Sequence, residues 1–305
     1  MNGTTALLQD QRPMLGIALM LLVYFLFSTL DASVKWLGIA GLSALQIAFM
    51  RYFGHFIISL GILLKNGVDR NPFASSSLGL VILRGALLMG ATVTNFLALQ
   101  HIPLTVTSTI MFTSPIVVCA LSGPLLGERV GLWRWMAILV GLFGAVIAIR
   151  PFDASFHLAV LLSIASVTFY SLYAILTRKL VGKVSRNTLQ FYSSVVGTFV
   201  LLPFGIHTWK APASALEWFL LAALGVLAWL GHELLTRAHS YSEANALTPY
   251  TYVFIVYMTA WGYILFDHIP DRWTILGAII VISAGLVIWL RERKLGIAKP
   301  PIVRG

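Results

Sequence analysis

The chain has 305 residues, 58% of them apolar and only 10% charged, with a mean hydropathy of +0.87. Soluble domains carry about 25% charged residues, so a water-soluble globule, a disordered chain and a disulfide-stapled secreted module are all excluded. Twenty-one Lys and Arg against 11 Asp and Glu give a net charge of +10, which must be sorted by membrane side before it implies any partner.

A bilayer core about 30 Å thick needs roughly 20 apolar residues in a helix. Ten such windows follow one another at 14–34, 44–64, 78–99, 104–125, 133–149, 157–177, 188–206, 214–236, 244–266 and 273–290. The first runs to Val34 without a small-x-small cleavage pattern and reads as a retained span rather than a signal peptide. The single cysteine, Cys119, excludes an intramolecular disulfide and a cysteine metal cluster. An even number of spans puts both termini on one side. Sixteen basic residues fall on that side, four on the other, and Arg51 lies within the second span. Basic residues in short loops stay cytoplasmic, so both termini are expected in the cytoplasm. The charge is then topology, with an affinity for anionic lipid at the basic face, and nucleic acid is not needed to explain it.

Internal similarity divides the chain. A shift of 144 lays Ser33 to Gly38 on Thr177 to Gly182 and Leu45-Gln46 on Leu189-Gln190. After a slip near residue 70, a shift of 140 lays Gly85 on Gly225, Ala98 on Ala238, Phe112 on Tyr252 and Trp133 on Trp273. Residues 1–150 and 151–305 thus form two expected repeats of five spans each. Because five is odd, the second enters the membrane in the opposite sense, an inverted repeat of the kind secondary transporters use. The expected fold is an all-α integral membrane protein of ten transmembrane helices in two inverted five-helix repeats.

Gly127-Glu128-Arg129 after the fourth span, the Gly141 to Ala145 stretch, and Ala246-Leu247-Thr248-Pro249-Tyr250-Thr251-Tyr252 followed by Phe266-Asp267 resemble the EamA-type drug/metabolite transporters. The resemblance covers about residues 14 to 293. One departure is Asp267-His268, where that family often has Gly-Glu. The resemblance implies a bacterial inner-membrane carrier of organic metabolites.

Ionisable groups inside spans are costly and mark sites or pairs. Asp31 and Lys35 stand one turn apart in the first span, as do Arg51 and His55 in the second. An Asp31–Arg51 pair is within reach, either as a lock between two helices or as a gate. Gly231-His232-Glu233-Leu234-Leu235-Thr236 approaches the His-Glu-x-x-His zinc signature, but Thr236 replaces the second ligand and a metalloprotease is rejected. Glu233 can pair with Arg237 along its helix. His232 suits either proton coupling or a hydrogen bond to a neighbouring helix.

Trp133, Trp135, Trp209, Trp218 and Trp273 fit interfacial belts, whereas deeper aromatics combine an apolar body with a polar tip suited to lining a solute pocket. Thr105, Thr109 and Thr113 form a stripe at i, i+4, i+8. Pro115 and Pro249 interrupt one helix in each half without aligning under the shift of 140. The expected substrate site is Tyr24, Asn95, Thr109, Tyr170, Trp229, Tyr252 and Trp261, with Asp31, Arg51, His232 and Glu233 gating or coupling. The Gly141, Gly144, Gly277 and Gly285 faces suggest close packing through small residues, as a scaffold or a homodimer contact.

The sequence therefore predicts a secondary transporter that moves a small organic metabolite by alternating access. A flat or amphipathic solute such as riboflavin, S-adenosylmethionine or an amino acid suits the aromatic lining. No Gly-x4-Gly-Lys-Ser/Thr loop for ATP occurs, and no cofactor or metal is called for. The competing class, an intramembrane enzyme or flippase-like protein acting on a lipid or lipid-linked sugar, would need clustered acid and base groups. Asp31 and Glu233 are expected near opposite faces, which argues against it.

Overall fold

Every regular element in the computed structural model is helical, and no strand occurs among the described residues, 13–66, 77–126, 132–150, 157–180, 183–241 and 247–294. The helices are α1 (Pro13–Ile39), α2 (Ala44–Asn66), α3 (Leu78–Leu99), α4 (Leu104–Met111), α5 (Ser114–Leu126), α6 (Leu132–Ile149), α7 (Val160–Leu180), α8 (Arg186–His207), α9 (Ala215–Tyr241), a 3-10 helix (Thr248–Tyr252), α10 (Val253–Phe266) and α11 (Arg272–Lys294). Backbone groups in lipid have no water to bond, so helices that satisfy their own N–H and C=O groups are the expected solution. Large apolar side chains such as Leu139, Phe143, Phe219 and Ile264 are exposed on the outside of the bundle, where lipid replaces water.

Among the described residues seven helices are both long and apolar enough to cross a membrane, where the sequence windows number ten. The three remaining windows hold the shorter apolar stretches Leu104–Val118, Trp135–Ile149 and Tyr250–Phe266. Backbone chemistry explains two of them. Pro115 has no N–H, so the Met111 carbonyl loses its helical donor, and the chain tightens there as the Thr113 N–H bonds Ile110 O at 2.9 Å. Within the ninth window a 3-10 helix, Thr248–Tyr252, containing Pro249 precedes α10, which begins at Val253. The prolines do not align between halves, but the two interruptions do. Phe112 at the first and Tyr252 at the second are the pair that the shift of 140 superposes, and their rings touch with centroids 5.2 Å apart.

Local signals set several boundaries. Ser214 and Glu217 form a capping box at α9: Ser214 Oγ accepts the Glu217 N–H at 3.2 Å, and Glu217 Oε2 accepts the Ala213 N–H at 2.8 Å. Asp271 caps α11 by accepting the Thr274 N–H at 2.7 Å and ion-pairs with Arg150 at the end of α6. Partial burial pushes the Asp271 carboxyl up, but hydrogen bonds from Thr274 and the Arg150 charge outweigh it and hold it below the usual carboxylate value.

α10 ends on Asp267, whose φ of 50° is left-handed, a conformation glycine adopts without strain and aspartate tolerates. This is the position where Asp-His departs from Gly-Glu. Asp267→Gly is expected to raise stability by about 0.5 to 1 kcal/mol, read as a higher melting temperature of the detergent-purified protein. An unchanged or lower melt would show that no strain is held there.

Packing runs across the sequence midpoint. α1 lies on α9, α2 on α8, α3 on α7, and α6 on α11, with secondary crossings of α2 on α9 and α3 on α8. Glycines allow the closest of these. A Cβ on Gly225 of α9 would stand 2.6 Å from Gly54 Cα of α2, and one on Gly85 of α3 would stand 3.2 Å from Ser193 Cα of α8. Gly144 and Gly277 bring α6 and α11 into contact in the same way, so these small-residue stripes pack on each other within the chain. The largest apolar core gathers Leu37, Leu42, Ile47, Leu99, Leu104, Leu221 and Leu224 toward one end of the bundle. At that end, Lys35 Nζ donates to Leu99 O and Ile102 O, both at 2.9 Å, and Gln46 Nε2 donates to Lys210 O at 2.8 Å.

Candidate functional site

Polar and aromatic side chains of α1, α2, α3, α7, α9 and α10 converge inside the bundle. On α1, Tyr24 packs edge-on to Phe254, with centroids 5.9 Å apart, and lies within electrostatic range of Tyr170 and Tyr252. Tyr170 neighbours Tyr173 one turn on, at 5.8 Å. Trp261 Nε1 donates to Ser28 Oγ at 3.3 Å while its ring leans on Phe25. Trp229 is half-buried on α9, three residues before His232 and so on the same face. Tyr170 and Tyr252 are thus both within range of Tyr24, while Trp261 meets α1 one turn further along, at Ser28 and Phe25. Tyr252 itself sits in an apolar cluster with Phe112, Ala145 and Val281, its hydroxyl lodged against Gly285.

Two hydroxyls of the threonine stripe are arranged differently from the expectation of a solute-facing surface. Thr109 donates its hydroxyl proton to Thr105 O at 2.8 Å, and Thr113 donates to Ile110 O at 2.7 Å. In a membrane helix the preceding turn is the nearest acceptor, so these protons are unavailable to a solute.

The charged residues also sort themselves. Asp31 accepts from Asn95 Nδ2 at 3.3 Å, and no ion pair joins it to Arg51 among the described residues. The expected Asp31–Arg51 lock is therefore replaced by an Asp31–Asn95 link between α1 and α3. Arg51 lies over the Tyr52 ring, 4.6 Å from its centroid, and is within electrostatic range of Asp31, His55 and His232. Tyr52 is fixed by a 3.0 Å hydrogen bond with Thr92 and by seating on Gly197. The His55 and His232 rings stack with centroids 6.3 Å apart, and Phe27 meets His232 edge-on at 5.2 Å. Glu233 stands apart from this group, accepting from Arg237 Nε at 2.8 Å as its spacing predicted.

Arg84 has a role that loop counting missed. Grouped by charge with the basic face, it is buried in α3, where it donates to Thr177 Oγ1 at 2.8 Å, Leu189 O at 3.1 Å, Ser193 Oγ at 2.9 Å and Tyr173 Oη at 2.7 Å. Its position six residues into an apolar window was the available signal. It ties α3 to α7 and α8 and sits over the Tyr173 ring.

A separate cavity of about 500 Å³ opens at the Lys35 end, lined by Lys35, His101, Pro103, Phe266 and His268 among others. Burial, then the Lys35 ammonium, hold the His268 imidazole below its usual pKa. Among the described residues no group of three His, Cys, Asp or Glu could hold a metal ion.

The family model of EamA-like transporters matches this sequence twice, over residues 14–150 and 157–290. The chain belongs to the EamA-like transporter family. It is a multi-pass membrane transporter and not an enzyme. The EamA-like chain is 31% identical over 277 residues to the pseudopaline exporter CntI of Pseudomonas aeruginosa, covering 90% of this chain and 95% of that one. It is 31% identical to the S-adenosylmethionine uptake transporter of Rickettsia prowazekii, covering 92% and 94%. It is 26% identical to the riboflavin transporter of Vibrio cholerae, covering 92% and 95%. A solved structure superposes with a TM-score of 0.63 over 94% of this chain and 99% of its own at 15% identity, which shows a shared fold.

Proposed function

We propose that this EamA-like transporter carries a small organic metabolite across the bacterial inner membrane by alternating access between two inverted five-span repeats, residues 1–150 and 151–305. The observation that carries the reading is an interior lined with polar and aromatic groups contributed by both halves: Tyr24, Asp31, Arg51 and Asn95 from the first, Tyr170, Trp229, His232 and Trp261 from the second. The inverted arrangement is supported by the packing. Moving five spans along exchanges α1 on α9 for α7 on α3, exchanges α2 on α9 for α8 on α3, and returns α2 on α8 and α6 on α11 to themselves. Gly85 and Gly225, matched by the shift of 140, occupy the equivalent close crossings. The paired helix interruptions meeting at Phe112 and Tyr252 fit a transporter midplane, where broken helices are tolerated because they line protein or a cavity. The basic loops support cytoplasmic termini.

An S-adenosylmethionine, riboflavin or amino-acid type of solute suits this lining, since each has a flat or amphipathic body with polar ends. Relatives named for exporting pseudopaline and for taking up S-adenosylmethionine and riboflavin support that class. Purified protein in liposomes is expected to give saturable movement of at least one such metabolite above empty liposomes, with acceleration when unlabelled substrate is loaded inside. No movement of any of them, under a proton gradient or with counter-substrate, overturns the carrier reading.

A further inference from the structure

Most buried polar side chains among the described residues are matched to an acceptor or donor, Arg84 with four being the clearest instance. The exceptions that gather in one place are on α2 and α3. Arg51 is 6% exposed, makes no hydrogen bond among the described residues, and has its Nη1 sealed without a partner. His55, one turn further along α2, is 1% exposed with neither ring nitrogen bonded. Asn95 uses its Nδ2 on Asp31 and leaves its buried Oδ1 unmatched. Among the described residues Asp31 accepts from Asn95 alone.

A guanidinium in a membrane interior without a partner is strongly disfavoured, so the chemistry of the leftover atoms describes what completes them. Arg51 is a donor, and His55 offers at least one ring N–H. They call for an anionic oxygen pair, which the Arg fork matches well. Asp31 and Asn95 Oδ1 are acceptors, and they call for a cationic or multiply protonated nitrogen. A bare phosphate or sulfate would use the donors, leave Asn95 Oδ1 unmatched and face the Asp31 carboxylate. Within the cluster Asp31 and Arg51 oppose each other in charge, and a head group of zero net charge leaves that local balance unchanged.

We infer that this cluster holds the zwitterionic head of an α-amino-acid-type solute, its carboxylate on Arg51 and His55 and its ammonium between Asp31 and Asn95 Oδ1. The rest of the solute lies against the aromatic walls. This rests on the carrier reading above and adds to it a substrate class.

The test is binding by the full-length protein in detergent, followed by titration calorimetry and thermal shift. The probes are S-adenosylmethionine and the common L-amino acids, each beside an analogue without the carboxylate: decarboxylated S-adenosylmethionine, or the amino-acid methyl ester. Riboflavin, which has neither group, completes the set. At least one zwitterion is expected to bind, and loss of its carboxylate to weaken binding at least tenfold in the native protein. Arg51→Gln is expected to abolish the tenfold preference, so that the zwitterion and its carboxylate-free analogue bind alike; if that variant fails to fold, Arg51→Lys, which keeps the charge but not the planar fork, is expected to cut the preference several-fold, and an undiminished preference in either overturns the proposal. Equal binding of acid and ester overturns the proposal, as does binding of riboflavin with no zwitterion bound, and both leave the carrier reading standing. If no probe binds and none is moved by the liposomes, the proposal and the carrier reading fall together.

Discussion

Gly225→Leu is expected to destabilise the protein by about 3 kcal/mol or more, at the upper end of what overpacking costs. The reason is the identity of the neighbouring atoms. A Cβ at 225 would meet Gly54 Cα at 2.6 Å, Gly54 C at 2.8 Å and the His55 N at 2.9 Å. All three are backbone, so no rotamer change relieves the overlap and α2 must move away from α9. The crossing that opens is the one between the helix bearing Arg51 and His55 and the helix bearing His232. Close backbone approach through small residues is also a main source of helix association in lipid. Gly61→Ala is the control: a Cβ there meets nothing within 4 Å, and replacing a mid-helix glycine by alanine is worth up to about 1 kcal/mol in favour of the variant. The measurement is the melting temperature and folded yield of both variants in one detergent. A Gly225→Leu protein that melts with the parent would show that α2 and α9 do not cross this closely.

Arg84→Ala is expected to cost about 2 to 4 kcal/mol. Hydrogen bonds between membrane helices average about 0.6 kcal/mol; four of them, with the cavity left by a large buried side chain, reach that range. The high cost of placing arginine in a bilayer does not reverse the sign. Helix insertion precedes helix packing, so Arg84 is within the membrane both before and after α3 docks, and most of that cost cancels. Tyr173→Phe removes one of the four bonds and should give a fraction of the loss. In the Arg84→Ala background its further effect should nearly vanish, because the bond it deletes is already gone. Full additivity in that double-mutant cycle would mean that Arg84 and Tyr173 are not partners. Arg84→Lys retains the charge but cannot reach Thr177, Ser193, Leu189 and Tyr173 from one planar fork, and is expected to fall between.

The helical windows, the membrane class and the transporter family were legible because their signals are local or repeated along the chain. Hydropathy over 20 residues depends on no distant neighbour, and the Glu233–Arg237 pair is complete within four residues. The repeat offset even matched Phe112 with Tyr252 before their rings were known to touch. What a linear reading misjudged were pairings between helices. Asp31 and Arg51 looked like natural partners by charge and depth, yet Asp31 takes Asn95. Thr109 looked free to face a solute, yet its hydroxyl bonds its own helix. Arg84 looked like part of a basic face, yet it is buried among four acceptors.

Composition and periodicity alone determined that this chain is a helical membrane protein built by duplication, because lipid tolerates little else from such residues. Only the tertiary structure decided which buried polar atoms are already matched and which remain open. A side chain on α2 or α3 is satisfied by groups about forty to a hundred residues away, such as Thr92 for Tyr52 and Ser193 for Arg84. Whether those groups arrive within 3 Å is fixed by helix crossings, not by position along the chain.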